Sequence, residues 1–407
     1  MAALDYFQAH QPVREQDVAI GHAVRAMYMY SGMADVARVT GDQTLIGVCK
    51  RLWHNTTQKK MYITGGVGSS GHLESFSFDY DLPNDTAYTE TCAAIGLVFF
   101  AQRMFQLEPV GEYIDVMEKA LYNGVLSGIS EDGQRFFYVN PLEVLPEVCE
   151  KRHDHNHVKP TRQKWFGCAC CPPNIARLLA SIGQYLYSYS ENNIFVNLFA
   201  DSTVDVQLND CQITLKQETN YPWDEDINFT IVTDEEVEFT LAIRIPGWCK
   251  EAELKVNGET INIMDFNHNG YVYLERKWSD GDIIELTLKM PVLKLYANPQ
   301  VRENIGKVAI QRGPLVYCLE EVDNGPNLPA IHLPVYAKLK AEYRPDLLGG
   351  VTIITGQAMR IDETTWTGKL YSTEKPQYKA VEITAIPYFA WNNRKPGEML
   401  VWLNQID

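Results

Sequence analysis

The sequence predicts a multidomain α + β chain, helical up to about residue 190 and β-rich from there onward. Three observations carry this. Apolar residues recur at helical spacing through the first part of the chain. After Asn193 the texture turns to alternating or β-branched runs: IFVNLF, TVDVQL, FTLAIRI, YVYLE and IIELTLKM. Turn signals such as Asn257-Gly258 and Asp280-Gly281 separate these runs. The length of 407 residues suggests two or three domains, taking about 150 residues for each. We divide the chain into a helical domain over 1–190, a β-sandwich over 191–290 and a second β-sandwich over 291–407.

The helices are expected in the following order. Residues 14–40 place Val18, Ala23, Met27 and Met33 at helical spacing. Gly41-Asp42 interrupts, and Asp42 is suited to cap a second helix reaching about His54. A third helix runs from about Thr89 to Met104 and a fourth from Gly111 to Leu126. Pro172-Pro173 opens a fifth, because proline is tolerated in the first helical turn, where its missing N–H costs nothing. This helix should end near Ser190, where Glu191-Asn192-Asn193 reads as a turn. In the β-rich part, a loop-like passage covers Asp323 to Pro329.

Composition excludes several functions. With 36 Lys and Arg against 52 Asp and Glu, the net charge is −16. A chain so acidic, with no basic cluster, would repel a phosphate backbone, so nucleic acid is not an expected partner. The longest strongly apolar stretch, Ala93 to Ala101, is far shorter than the ~20 residues of a bilayer span, so no membrane is expected either. The opening MAALDYFQAHQPVREQDV lacks a basic region followed by an apolar one, which argues against a secretory signal. Nine cysteines, an odd number, then point to a reducing compartment, and the expected location is cytoplasmic.

Two motifs invite functional readings that their surroundings do not support. Gly66-Val67-Gly68-Ser69-Ser70-Gly71 matches the dinucleotide-binding pattern G-x-G-x-x-G, but HLESFSFDYDLPND follows it without a helical stripe. A tightly turning loop is expected there. His153, His155 and His157 stand two apart and could face one metal, yet a solvated polar loop between Arg152 and Lys159 is the favoured reading.

The cysteines carry the strongest local signal. Cys168, Cys170 and Cys171 lie within GCACCPP, directly before the fifth helix. Unpaired N–H groups at a helix start favour thiolate, and thiolates are ligands of choice for zinc. Buried structural cysteine is the competing reading of this segment alone. In Tyr88-Thr89-Glu90-Thr91-Cys92, a carboxylate and a thiol stand two residues apart. On a regular helix they would point ~200° apart, so this turn must be irregular or lie at the very start of its helix. Glu90, Cys92, Cys170 and Cys171 together would offer Zn2+ one oxygen and three sulfurs, a tetrahedral set.

The segments YITGGVGSSGHLESF, YTETCAAIG, ALYNGVLSGIS, FFYVNPLE, QKWFGCACCPPNIARLLASIGQYLY and IPYFAWNNRKPGEMLVW give the chain a family likeness. It resembles the bacterial β-L-arabinofuranosidases of glycoside hydrolase family 127 over nearly its whole length. That resemblance implies a retaining glycosidase in which a zinc-bound cysteine, here Cys170, attacks the anomeric carbon and forms a thioglycosyl intermediate. It implies Glu74 as general acid/base, and Glu90, Cys92 and Cys171 as the remaining zinc ligands. It further implies that His22, Glu118 and Tyr138 line the substrate pocket.

The resemblance also implies an (α/α)6 barrel followed by two β-domains. Twelve barrel helices are expected and about five are present, so the chain reads as the C-terminal half of the barrel followed by two β-sandwiches, truncated at its N-terminus. Half a toroid would leave apolar helix faces uncovered, which implies a homo-oligomer or a separate polypeptide supplying the first half. The expected substrate is an L-arabinofuranosyl saccharide or glycoconjugate of plant origin, cut at its non-reducing end. A catalytically silent, zinc-stabilised carbohydrate-binding or scaffold protein is the alternative.

Overall fold

The computed structural model describes residues 3–208 and 211–407. Five longer helices form the first part: α1 (Ala23–Thr40), α2 (Gln43–Lys59), α3 (Thr91–Leu107), α4 (Gly111–Lys119) and α5 (Cys171–Ala180). Their ends follow local chemistry. Asp42 accepts a hydrogen bond from the Leu45 amide at 3.0 Å and so caps α2 as expected. Gly41 closes α1 in the left-handed region at φ +67°, where a side chain would be strained. Helix α3 is the central one, buried nearly all round, and packs against α1, α2, α4 and α5.

Three expected helices have different extents. Residues 14–22 do not continue α1: Val13–Glu15 is a short 3₁₀ turn, and Gly21 breaks the chain at φ +78°. A Cβ on Gly21 would sit 2.0 Å from the Asp5 carbonyl oxygen, so this close approach needs glycine. Helix α4 stops being regular at Lys119 and passes through a π-helical turn, Ala120–Val125, and a 3₁₀ turn, Leu126–Gly128. Helix α5 ends at Ala180, not near Ser190. After the short helix Gly183–Leu186, Tyr187–Tyr189 is a strand paired with Asn193–Val196. The reason is tertiary: Tyr187 buries its ring among β-sheet residues, and its hydroxyl lies 2.8 Å from that of Ser202.

Two sheets follow and share one core. Tyr187–Tyr189, Asn193–Val196, Val237–Arg244, Tyr271–Trp278 and Asn267–His268 form the five-stranded sheet. Ser202–Leu208, Cys211–Thr219, Asp226–Thr233, Ile283–Leu288, Ala252–Val256 and Glu259–Ile261 form the six-stranded one. Leu241, Ile243, Val272 and Leu274 of the first meet Ile213, Leu215, Phe229, Ile231, Ile284 and Leu286 of the second. Asn257-Gly258 turns a hairpin with both residues at positive φ, which suits a two-residue loop. Asp280-Gly281 instead carries the chain from one sheet to the other.

The last part differs from the expected sandwich. Leu315–Glu320, Tyr378–Pro387, Val351–Ile361, Ile331–Pro334, Leu403–Ile406 and Lys307–Arg312 form a ring of six strands that closes on itself. Alternating residues look alike in a barrel and a sandwich, so periodicity did not separate the two. In Leu315–Glu320 both faces are buried. Leu315, Tyr317 and Leu319 fill the ring, while Val316 and Cys318 pack outward with Phe137, Val139 and Leu142 of the first part.

Candidate active site

Four potential ligand side chains converge at the starts of α3 and α5. Glu90 precedes α3 in an extended conformation (φ −58°, ψ 137°), and Cys92 sits in its first turn. That break in regularity lets residues two apart face one point. Cys170 and Cys171 begin α5. The ligand atoms of all four lie within 4.8 Å of one another. Cys92 Sγ is 3.7 Å and Cys170 Sγ 3.8 Å from Cys171 Sγ, and Cys170 Sγ reaches Glu90 Oε1 at 3.3 Å.

The segment that delivers Glu90 is held under strain. Thr89, a β-branched residue, lies at φ +36°. Its amide donates to the Gly68 carbonyl at 2.7 Å, its hydroxyl donates to the Asn140 carbonyl at 2.5 Å, and Asn140 Nδ2 donates back to the Thr89 carbonyl at 3.1 Å. The glycine-rich stretch serves this packing. A Cβ on Gly66 would stand 2.9 Å from Thr89 Cγ2. No strand of a sheet precedes that stretch and no α-helix follows it; the 3₁₀ turn His72–Glu74 comes next, with Leu73 and Glu74 both at positive φ.

Electrostatically the cluster is incomplete by itself. Glu90 Oε2 is buried without a hydrogen-bond partner. Burial, together with the Cys170 sulfur and Glu74 nearby, pushes the Glu90 carboxyl up to about 9. Hydrogen bonds from Cys170 and Cys171 draw the Cys92 thiol down to about 5, and the same contacts push Cys171 up. Protons are thus shared where four negative charges would otherwise meet. A donor set of this kind can hold a metal ion, which would take the place of those protons.

A cavity of about 670 Å³ opens beside the cluster. His22, Glu74, Glu90, Cys92, Tyr138 and Cys170 line it, together with Arg25, Tyr28, Asn174 and Arg177, which sequence reading missed. Cys92 and Cys171 are 2% and 0% exposed, whereas Cys170 is only half-buried, so Cys170 is the most exposed cysteine of the cluster. It lies 3.5 Å from the Tyr138 hydroxyl. His22 caps α1 through Nδ1, which accepts from the Arg25 amide at 3.4 Å, leaving Nε2–H to donate to Glu74 Oε2 at 3.0 Å. That bond holds the Glu74 carboxyl below the usual range, against an opposing burial effect. Tyr88 stacks on His157 with ring centres 5.6 Å apart.

Glu118 is not brought to this cavity. It is 1% exposed and accepts from Arg244 Nη2 at 2.5 Å, the Tyr221 hydroxyl at 2.7 Å and Trp248 Nε1 at 3.1 Å. It joins α4 to the sheets that follow. Nor is the histidine run a solvated loop throughout. His155 is buried, with Nδ1 at 2.8 Å from Asp154 and Nε2 at 2.9 Å from Asp85, and His157 Nε2 lies 3.0 Å from the Thr86 carbonyl. The three histidines form no ligand cluster; two of them pin residues 85–88, just ahead of Glu90.

The thiol-rich cluster thus borders an open cavity, with a carboxylate paired to histidine at its edge and two β-rich units behind it. Family models match the chain in succession: β-L-arabinofuranosidase, GH127 catalytic domain, over residues 1–184; the GH127 middle domain over 193–290; and the glycoside hydrolase family 127 C-terminal domain over 292–404. The chain belongs to glycoside hydrolase family 127. It is 42% identical to a non-reducing end β-L-arabinofuranosidase of Bifidobacterium longum subsp. longum, over 98% of this chain and 61% of that protein. The crystal structure of a GH127 β-L-arabinofuranosidase from Geobacillus stearothermophilus T6 superposes with a TM-score of 0.97 at 56% identity, covering 99% of this chain and 63% of that one. A further structure, described as a glycoside hydrolase, gives 0.92 at 36% identity over 100% and 70%. The chain thus spans about 61% of the length of its curated relative.

Proposed function

We propose that this chain carries the catalytic centre of a retaining β-L-arabinofuranosidase, with Cys170 as nucleophile, Glu74 as general acid/base and zinc held by Glu90, Cys92, Cys170 and Cys171. The observation that carries the reading is the unequal exposure of the three clustered thiols: two are buried, and Cys170, the most exposed, lines the cavity with Glu74. Zinc suits the donor set. For Zn–S bonds of about 2.3 Å, a tetrahedron has S···S edges of about 3.8 Å, against 3.7 and 3.8 Å here. The buried, partnerless Glu90 Oε2 is the oxygen that a cation would satisfy. When bound, zinc keeps the sulfurs deprotonated at neutral pH.

The chemistry then falls to the side chains. The Cys170 sulfur attacks the anomeric carbon as the bond to the glycosidic oxygen breaks, and Glu74 gives its proton to that leaving oxygen. In the second step Glu74 takes a proton from water, the water oxygen bonds to the anomeric carbon, and the carbon–sulfur bond breaks. Two displacements return the original configuration, as in retaining enzymes that use two carboxylates. The His22 contact that lowers the Glu74 carboxyl favours the second step, where Glu74 acts as base.

The helical part fits the later half of an (α/α)6 barrel, with the paired sheets after it as a β-sandwich, and association with a second copy would add to the cavity walls. The expected substrate is a plant arabinoside cut at its non-reducing end. Thiols that act only when reduced fit a cytoplasmic setting, and no helix among the described residues is long and apolar enough to cross a membrane.

The test is an aryl β-L-arabinofuranoside assay with zinc present and thiols reduced, on the chain and on Cys170→Ser. Hydrolysis that disappears in the variant supports the cysteine mechanism. Hydrolysis that survives the substitution sinks it. Sugar binding without hydrolysis, from chain loaded with zinc, would favour a silent binding protein instead.

A further inference from the structure

We infer that the cavity receives an arabinoside whose leaving group carries a carboxylate, held by the guanidinium groups of Arg25 and Arg177. The inference rests on the reading of Glu74 as acid/base and names what lies beyond the bond that is cut. Glu74 has to reach the glycosidic oxygen, so the leaving group sits on its side of the cavity. There His22 holds Glu74 at 3.0 Å, and α1 runs on from His22 along the cavity wall. Arg25 and Tyr28 follow His22 at intervals of three residues, each ~4.5 Å further along the axis and on the same side of the helix. All three line the cavity. Arg177 joins this row from α5, where its Nη2 donates to the Tyr28 hydroxyl oxygen.

Both guanidinium groups are set in place without an anion. Arg177 Nε donates to Asn174 Oδ1 at 2.8 Å, and Asn174 is 8% exposed, so this anchor is firm. The guanidinium carbon of Arg177 lies 4.9 Å from the Phe99 ring centre and 5.5 Å from that of Tyr28. These contacts occupy Nε and Nη2 and leave Nη1 to donate elsewhere. Arg25 rests over the Tyr6 ring at 5.3 Å and the Phe7 ring at 5.1 Å, and Tyr6 meets His22 edge-on at 5.5 Å. Among the described residues no carboxylate pairs with either arginine: Glu74 is taken by His22, and Glu90 lies 3.3 Å from Cys170 Sγ. Two ordered cations on one wall suit a planar anion with two oxygens, which a guanidinium fork binds through parallel hydrogen bonds. A carboxylate fits better than a phosphate. The cavity already holds Glu74 and Glu90, and a single negative charge meets less repulsion there than a double one. In a saccharide, the unit that carries such a group is a sugar acid.

The test compares kcat/KM for para-carboxyphenyl and para-carbamoylphenyl β-L-arabinofuranosides, which share a shape and differ in charge. The two phenols differ in leaving ability, but equally for every variant, so the change in their ratio is the readout. Arg25→Gln and Arg177→Gln should each lower the carboxylate-to-amide ratio by about 10-fold, the weight of a charge-assisted hydrogen bond, and chiefly through KM. Arg25→Lys keeps the charge and should retain part of the preference, which added salt should narrow. A ratio that moves in neither glutamine variant would overturn the inference, leave Glu74 in its role and reduce the arginines to bracing the helices. If Arg177→Gln does not fold, Arg25→Gln decides by the same criterion. A chain that hydrolyses neither substrate would remove the catalytic reading. Calorimetric binding of para-hydroxybenzoate against para-hydroxybenzamide, to the chain and to Arg25→Gln, then decides on the cation pair: a carboxylate preference lost in the variant supports it, and no such preference overturns it.

Discussion

Cys92, Cys170 and Cys171 are the same side chain in three surroundings, and the roles proposed for them rest on that difference. The sequence marked Cys170 and Cys171, together with Cys168, because thiols crowded at a helix start are unusual in an apolar core, and Cys92 because it stands two residues from Glu90. It marked Glu90 through the spacing that a regular helix forbids, and the extended backbone at Glu90 is how the chain resolves it. Glu74 was legible only through family resemblance; one carboxylate in a loop has no local signature. Its distinguishing features are the bond from His22 and its left-handed backbone at φ +53°, neither visible in sequence. Tyr28 and Asn174 were missed because their contact joins residues 146 positions apart. For the proposed acid/base, Glu74→Gln should lower kcat by about 10²–10⁴-fold, the usual weight of a positioned proton donor. Added azide, which needs no deprotonation, should restore part of the rate on an activated aryl arabinoside and yield the glycosyl azide. The zinc content of the variant should be unchanged. An unaltered kcat would remove Glu74 from the reaction.

At the level of elements, the site is built from chain segments that leave regular structure where ligands are needed. Helices α1 to α5 were legible as periodic runs, but their ends were not, since Gly21, Lys119 and Ala180 stop or divert helices for tertiary reasons. The glycine-rich stretch shows the same limit. Its pattern suggested a tight turn, and the structure adds what the turn is for: Gly66 gives room to Thr89, whose strained backbone sets the direction of Glu90. Gly66 is not at positive φ, so a substitution there tests space alone. Gly66→Ala should destabilise the fold by about 1–3 kcal/mol, as overpacking does, and should weaken metal retention by moving Thr89. Thermal unfolding together with zinc release to a chelator measures both. Full stability with normal zinc retention would mean that Thr89 yields freely and does not fix Glu90.

Across the whole molecule, the helical part and the sheets are joined by a buried ionic contact that sequence reading assigned to the substrate. Arg244 is fully buried, donates to Asp115 Oδ1 at 2.6 Å and to Glu118, and sends Nε to the Asn197 carbonyl at 2.6 Å. Tyr221 and Trp248 complete the shell around Glu118 from beyond the helices. A glutamate beside a lysine on a helix looks like a surface charge, so neither pattern nor charge revealed a partner 126 residues away. Breaking a buried pair leaves an uncompensated charge, which costs far more than an intact pair contributes. Glu118→Gln keeps the shape and two of the hydrogen-bonding groups, and Asp115 still faces Arg244, so the loss should be about 3 kcal/mol, the lower end for such a break. Denaturant unfolding measures it. The same variant, assayed at a temperature where it remains folded, should keep its KM for an aryl arabinoside, because Glu118 does not line the cavity. A raised KM with unchanged stability would instead put Glu118 in contact with sugar, and would require the sheets and α4 to separate there when substrate binds.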